Sequence, residues 1–184
     1  EYFDNSNITN DKVQNLYSLL KLSSEKFKIL LPGRLTTWKG QEMFIESLNL
    51  LQTKYNKENF QAVILGSHQG RKVYFKKLIS AVEKNRLKDK VFFLQHIKEM
   101  PVAYYISDVV VSSSIEPEAF GRISVEAQAM RRPILASNHG GSKETIVNGK
   151  SGFLFDNNNP ESLAENLNKL IEMDKDKLQS IGNE

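Results

Sequence analysis

The sequence predicts an α/β protein built on an open, doubly wound parallel sheet. Three observations carry that expectation. Short apolar runs alternate along the whole chain with stretches of helical period, the signature of repeated strand–helix–strand units. Several of those runs stop at turn-forming residues, Pro32-Gly33 and Gly66-Ser67 among them. A length of 184 residues, 40% hydrophobic and 26% charged, is ordinary for a globular chain and enough for one sizeable core.

Residues 1–10 are polar, show no clear period, and are expected to be the end of an interdomain linker, with 11–184 as the domain. A short amphipathic helix is expected over 11–22, with Val13, Leu16, Leu19 and Leu20 on one stripe and Asn10 or Asp11 as cap. Strands are expected at 27–31, 62–65, 91–94, 109–111, 134–136 and 152–155. Between them helical patterns cover 37–55, with Phe44, Leu48 and Leu51 aligned, then 72–85, 99–106 and 122–132, the last stopped by Pro133. Asn159 followed by Pro160 forms a cap and first helical position, opening a helix that runs to about residue 173. Ligands of such sheets bind beyond the carboxyl ends of the strands, where strand order reverses. Gly33-Arg34, Gly66, Gln95-His96 and Glu118 to Gly121 are therefore expected along one rim.

Composition excludes several classes. With no cysteine there is neither a disulfide framework nor a zinc–thiolate site. A net charge of +3 is too mild to argue for nucleic acid. No apolar run approaches the roughly 20 residues of a membrane span.

The most informative stretch is 112–144. The apolar run Val109-Val110-Val111 feeds the turn Glu116-Pro117-Glu118-Ala119-Phe120-Gly121, then a helix whose Ile123, Ala127 and Met130 share one stripe. Glu126 lies on that stripe, where a carboxylate must meet a polar partner, either a structural neighbour or a ligand. Glu118 stands eight residues earlier, just before the helix, so the two carboxylates can line one crevice. The helix start at Phe120-Gly121 adds free backbone N–H groups and the positive end of a dipole. Acceptors flanking an anion-binding helix end suit a ligand rich in hydroxyls that also carries phosphate, and a nucleotide sugar fits that description. After the first strand, Gly33 lets the backbone approach a ligand, Arg34 offers a planar fork of donors, and Lys39 a point charge. Arg34 and Lys39 are a diphosphate clamp or, alternatively, a solvated loop with a helix-start lysine.

On these residues the chain resembles the retaining GT-B glycosyltransferases of glycosyltransferase family 4. The resemblance rests on Glu118-Ala119-Phe120-Gly121, Glu126, the Gly140-Gly141 turn followed by Glu144, and Gly33-Arg34 with Lys39-Gly40, and covers roughly 27–173. It implies the C-terminal, Rossmann-like, donor-binding half of a GT-B fold, with most acceptor contacts in an N-terminal half. By that resemblance Glu118, Arg34 and Lys39 are the catalytic candidates, with Arg34 and Lys39 on the donor diphosphate and Glu118 at the donor sugar. Glu126 is assigned to the ribose hydroxyls, and Gly33, Phe120 and Gly121 to the donor through their backbone. His96 and Ile97 stand where the family often meets the base, although His96 by itself reads first as an ordinary structural donor, and His139 is similarly ambiguous. Trp38 is expected to pack the loop. No metal and no cofactor is expected, because the two cations and the helix end carry the charge of the leaving diphosphate.

The implied partners are a nucleotide-diphosphate sugar, a glycan or lipid-linked acceptor, and the protein's own N-terminal domain. The implied location is cytoplasmic, with contact to the inner face of the membrane left open. A first residue of Glu1 is expected of a fragment, one that binds nucleotide sugar weakly and transfers sugar poorly or not at all. The basic run Arg71, Lys72, Lys76, Lys77, Lys84, Arg86, Lys88 and Lys90 is either attracted to an anionic membrane or is a solvated helix face. One departure from the family pattern is Arg131-Arg132 before Pro133, where a small residue and Gly are common; it puts the helix end in question, not the carboxylates. The rivals are a GT-B nucleotide-sugar epimerase, a non-catalytic nucleotide-sugar-binding module, and a dinucleotide oxidoreductase. The last should show Gly-x-Gly-x-x-Gly after the first strand, and this chain has Gly33-Arg34-Leu35.

Overall fold

A computed structural model describes residues 2–183; Glu1 and Glu184, the outer ends of the expected linker and domain, lie outside the described residues. The strands are β1 (Phe27–Pro32), β2 (Phe60–Leu65), β3 (Val91–Leu94), β4 (Val109–Ser112), β5 (Ile134–Ser137) and β6 (Phe153–Phe155). The helices are α1 (Asn10–Leu20), α2 (Gln41–Thr53), α3 (Lys72–Lys84), α4 (Met100–Tyr105), α5 (Arg122–Ala129), α6 (Ser142–Thr145), α7 (Pro160–Glu172) and α8 (Lys175–Asn183). All strand pairs are parallel, in the order β3-β2-β1-β4-β5-β6. This is the α/β, doubly wound parallel sheet expected from the strand–helix alternation.

The period-2 geometry of a strand decides which core each residue joins. Ile29, Leu31, Ile64, Val109, Val111 and Leu135 pack with α2, α3 and α7. Leu30, Val63, Leu65, Val110, Ile134 and Ala136 pack with α1, α4 and α5 on the opposite face. Each fully buried aliphatic side chain contributes about 1.5–3 kcal/mol over exposure. From β1 the chain builds outward through β2 and β3, then returns to place β4 on the other side of β1. The order therefore reverses between β1 and β4, and the loops leaving their carboxyl ends splay apart to form a crevice.

The elements differ from expectation in informative places. The pattern over 37–55 breaks into a 3-10 turn, Thr37–Lys39, and α2, because Gly40 is left-handed at φ 70°. A Cβ at Gly40 would lie 1.9 Å from the Ser113 carbonyl oxygen, so glycine is what lets this turn press against the end of β4. The central helix ends at Ala129, before Pro133 can act. Arg131 turns left-handed at φ 52°, and the Arg132 N–H closes onto the Ala127 carbonyl at 2.8 Å. α1 starts one residue early, capped by Thr9 rather than by Asn10 or Asp11, and Leu19 leaves its stripe for solvent. α6 and α8 were not expected. The linker segment is folded against the domain: Asn5–Asn7 form a 3-10 turn, and the Phe3 ring stands edge-on to Tyr104, 5.6 Å between centres. Among the described residues no helix is long and apolar enough to cross a membrane.

Candidate functional site

The loop leaving β1 carries the cations. Its path is held by the Gln41 amide, which donates to the Arg34 carbonyl at 2.9 Å and in turn accepts from the Tyr74 hydroxyl at 3.1 Å. Arg34 is exposed, its guanidinium carbon 6.0 Å from the centre of the Trp38 ring. Lys39 is nearly buried, lying over the same ring at 4.5 Å. The Ser113 hydroxyl donates to the Lys39 carbonyl at 3.0 Å, tying this turn to β4 across the switch point.

The loop leaving β4 carries the carboxylates. Glu118 Oε1 receives Lys39 Nζ at 2.7 Å and a short bond from the Ser114 hydroxyl, which leaves Oε2 for a ligand. The Gly140-Gly141 turn supports this loop from behind. Gly141 N–H donates to the Glu118 carbonyl at 2.7 Å, and a Cβ at Gly140 would come within 2.6 Å of that carbonyl oxygen. His139 also supports the loop, with Nε2 2.7 Å from the Ser114 carbonyl. Gly121 precedes α5 and offers no capping side chain; the Ser124 N–H closes onto the Gly121 carbonyl at 2.9 Å, which leaves the N–H groups of Arg122 and Ile123 as the ones that can face an anion. Glu126 sits on the next turn, and its Oε2 accepts from the Tyr104 hydroxyl at 2.6 Å. Burial and then the Glu126 charge push the Tyr104 phenol well above its ordinary pKa, so it stays a donor.

Five of the nine sequence-predicted residues, Gly33, Arg34, Lys39, Glu118 and Glu126, line one cavity of about 360 Å³, with Trp38, Met100 and Arg122 completing its walls. Gly121 stands behind it at the helix start, and Phe120 points outward, 62% exposed. His96 and Ile97 are not among the lining residues. They follow β3, the sheet edge two strands from the switch point; His96 is exposed, and Ile97 lines a separate groove with Leu16 and Leu19 of α1. Trp38 does more than the loop packing expected of it, since it walls the cavity beneath Lys39. Sequence reasoning missed Tyr104, Ser114, Met100 and Arg122. Ser114 alone had a local signal, lying four residues before Glu118 in the same turn.

A larger cleft, about 580 Å³, opens on the far side of Trp38 beside Arg71 and Lys72. The one acid among its lining residues, Glu42, pairs with Lys77 at 2.6 Å, so this cleft does not gather the carboxylate pair that the smaller cavity holds. The basic run is partly neutralised by Lys77–Glu42, Lys88–Glu83 and Lys90–Glu58 pairs. The chain's Asp-x-Asp triplet, Asp174-Lys175-Asp176, lies away from the cavity. Asp174 Oδ1 accepts from the N–H groups of Asp176 and Lys177 and so serves as the cap of α8.

Fold and cavity together define a doubly wound domain whose switch-point cavity gathers the cations Arg34 and Lys39 and the carboxylates of Glu118 and Glu126. Residues 19–184 match the family model described as glycosyl transferases group 1, and the chain belongs to that family. It is 27% identical over 180 residues to the capsular polysaccharide biosynthesis glycosyltransferase CapM of Staphylococcus aureus, covering 98% of this chain and 45% of that protein. A glycosyltransferase structure from Rickettsia africae superposes with a TM-score of 0.92 at 31% identity, over 98% of this chain and 47% of that one. Anabaena HepE, solved with UDP and glucose and with UDP-glucose, gives 0.86 at 28% identity over 95% of this chain and 46% of its own. The fold is that of the C-terminal, Rossmann-like domain of GT-B glycosyltransferases, and the chain spans about half the length of the relatives it matches. Those relatives are glycosyltransferases, so the epimerase reading draws no support from them.

Proposed function

We propose that this chain is the donor-binding part of a retaining hexosyltransferase of glycosyltransferase family 4, taking a nucleotide-diphosphate sugar at the crevice between β1 and β4. The observation that carries the reading is the convergence of Arg34, Lys39, Glu118 and Glu126 on one cavity at the switch point. Arg34, Lys39 and the open first turn of α5 bind the diphosphate and stabilise the charge that grows on it as the sugar bond breaks. No resident metal or cofactor enters this reading. Donor binding draws Lys39 partly away from Glu118, and Glu118 Oε2 accepts a sugar hydroxyl, orienting the reacting carbon. Glu126 accepts from the ribose. The structure of HepE with UDP-glucose supports this donor class and makes UDP the first nucleotide to try. The acceptor is a glycan or a lipid-linked glycan, held mainly by the protein's N-terminal domain. CapM's role in capsular polysaccharide synthesis favours that class. The proposed location is the cytoplasm, as the family resemblance implies, with contact to the inner face of the membrane left open.

Calorimetric titration with UDP, GDP and ADP tests this. One nucleotide should bind, and Arg34→Ala and Glu126→Ala should each weaken it about tenfold or more, the worth of a hydrogen bond to a charged group. Binding that both substitutions leave unchanged would move the site elsewhere.

A further inference from the structure

We infer that Tyr104 is a positioning residue for ribose recognition: it fixes one oxygen of Glu126 so that the other meets the vicinal hydroxyls of a ribonucleotide. The inference rests on the donor reading given above and adds a residue and a selectivity to it. Tyr104 belongs to α4, 22 residues before Glu126, and is completely buried. It lies in the core under the sheet, with the Phe3 ring edge-on against it at 83°. A buried phenol needs a partner for its O–H. The partner here is Glu126 Oε2, 2.6 Å away, on a side chain that lines the cavity.

Without that bond the Glu126 side chain, half-buried on α5 and open on one side to the cavity, would have more than one rotamer open to it. A hydrogen bond to a charged acceptor is strong enough to select one. A carboxylate with one oxygen held from behind presents the other in a set direction, and a cis-diol can place two O–H donors on it. Ordering Glu126 in advance lowers the cost of binding the ribose and nothing else in the ligand. The bond should therefore show itself as discrimination between sugars with and without hydroxyls.

The test compares UDP with 2′,3′-dideoxy-UDP on wild type, Tyr104→Phe and Glu126→Asp by calorimetry. Wild type should prefer UDP by about tenfold or more. Tyr104→Phe should cut that preference by about three- to tenfold while leaving dideoxy-UDP affinity within about twofold of wild type. Because any unfolded fraction cancels in the ratio of two affinities, a partly destabilised variant still reports. Glu126→Asp keeps the charge but is too short to reach both partners; it should lose the preference to a similar extent, and adding Tyr104→Phe to it should change nothing more. Equal weakening of both nucleotides by Tyr104→Phe, or full preference retained in that variant, overturns the positioning role alone, whereas full preference retained in Glu126→Asp overturns the ribose assignment of Glu126. Equal affinity of wild type for the two nucleotides overturns the ribose assignment of Glu126 beneath it. Absence of binding of UDP, GDP and ADP alike by wild type overturns the donor reading itself; if GDP or ADP binds in place of UDP, the same comparison is made with that nucleotide and its 2′,3′-dideoxy form.

Discussion

Glu126 and Tyr104 illustrate what a single residue reveals about itself. That Glu126 sits on an apolar stripe and needs a polar partner is legible from spacing along α5. Which partner it has is not, because Tyr104 reaches it from another helix, and neither residue of the Tyr104-Tyr105 pair in that short helical pattern carries a mark of what its hydroxyl meets. The same holds for Glu118, whose contact with Lys39 joins residues 79 apart that only the β1–β4 adjacency brings together. Buried tyrosines also carry a pH consequence. Desolvation raises the phenols of Tyr104, Tyr74 and Tyr17 above their ordinary value, with Glu126, Glu42 and Asp108 respectively adding to it. The folded state thus holds these protons more tightly than the unfolded state does. Their stabilising effect is complete below about pH 10, the unfolded value, and is lost as pH climbs beyond it. Urea unfolding should give a flat tyrosine contribution between about pH 7 and 9.5, then a decline. In Tyr104→Phe the decline should be shallower by up to about 1.4 kcal/mol per pH unit. Parallel curves for the two proteins would show that the phenol is not held as described.

At the scale of elements, the six strands and six of the eight α-helices among the described residues were legible, whereas boundaries were governed by backbone geometry that residue pattern alone conveys poorly. Helix period runs straight through Gly40, yet the turn that glycine permits is what carries Lys39 to the mouth of the site. α8 was missed because its apolar residues, Leu178 and Ile181, are too few to set a period. His96 and Ile97 stand on the expected carboxyl rim, because every strand pair is parallel, but strand order puts β3 at the edge of the sheet, and neither residue lines the cavity. The end of α5 is the clearest case. Arg131 occupies the left-handed position after the helix, where a side chain costs about 1–2 kcal/mol. Its side chain is exposed, so little packing is lost on removing it. Arg131→Gly relieves that strain and gives back part of the gain through a more flexible unfolded chain. It should therefore raise stability by about 0.5–1 kcal/mol in denaturant unfolding, with nucleotide affinity unchanged. A loss of stability would mean that the Arg131 side chain makes a contribution larger than its strain.

For the whole molecule, the parallel order explains why cations and carboxylates from distant parts of the sequence share one cavity. β1 supplies Arg34 and Lys39, β4 supplies Glu118 and leads into α5, and the reversal between them opens the space the ligand needs. Exposure at the rim bears on the proposed chemistry as well. Arg34 and Phe120 stand exposed at the rim, so the leaving diphosphate would remain in contact with water, where its attraction to Arg34 and Lys39 is weakened. The chain also spans about half of its relatives, and an acceptor aligned against the sugar carbon by a second domain is worth several powers of ten in rate. Donor binding and sugar transfer should therefore separate. The 184-residue chain should bind UDP in calorimetry yet release UDP from UDP-glucose at least about a thousandfold more slowly than a protein extended to the length of its relatives, given the same acceptor. Transfer by the short chain at a comparable rate would show that the acceptor is held on this domain, and would shift the search for its binding site to the cleft beyond Trp38.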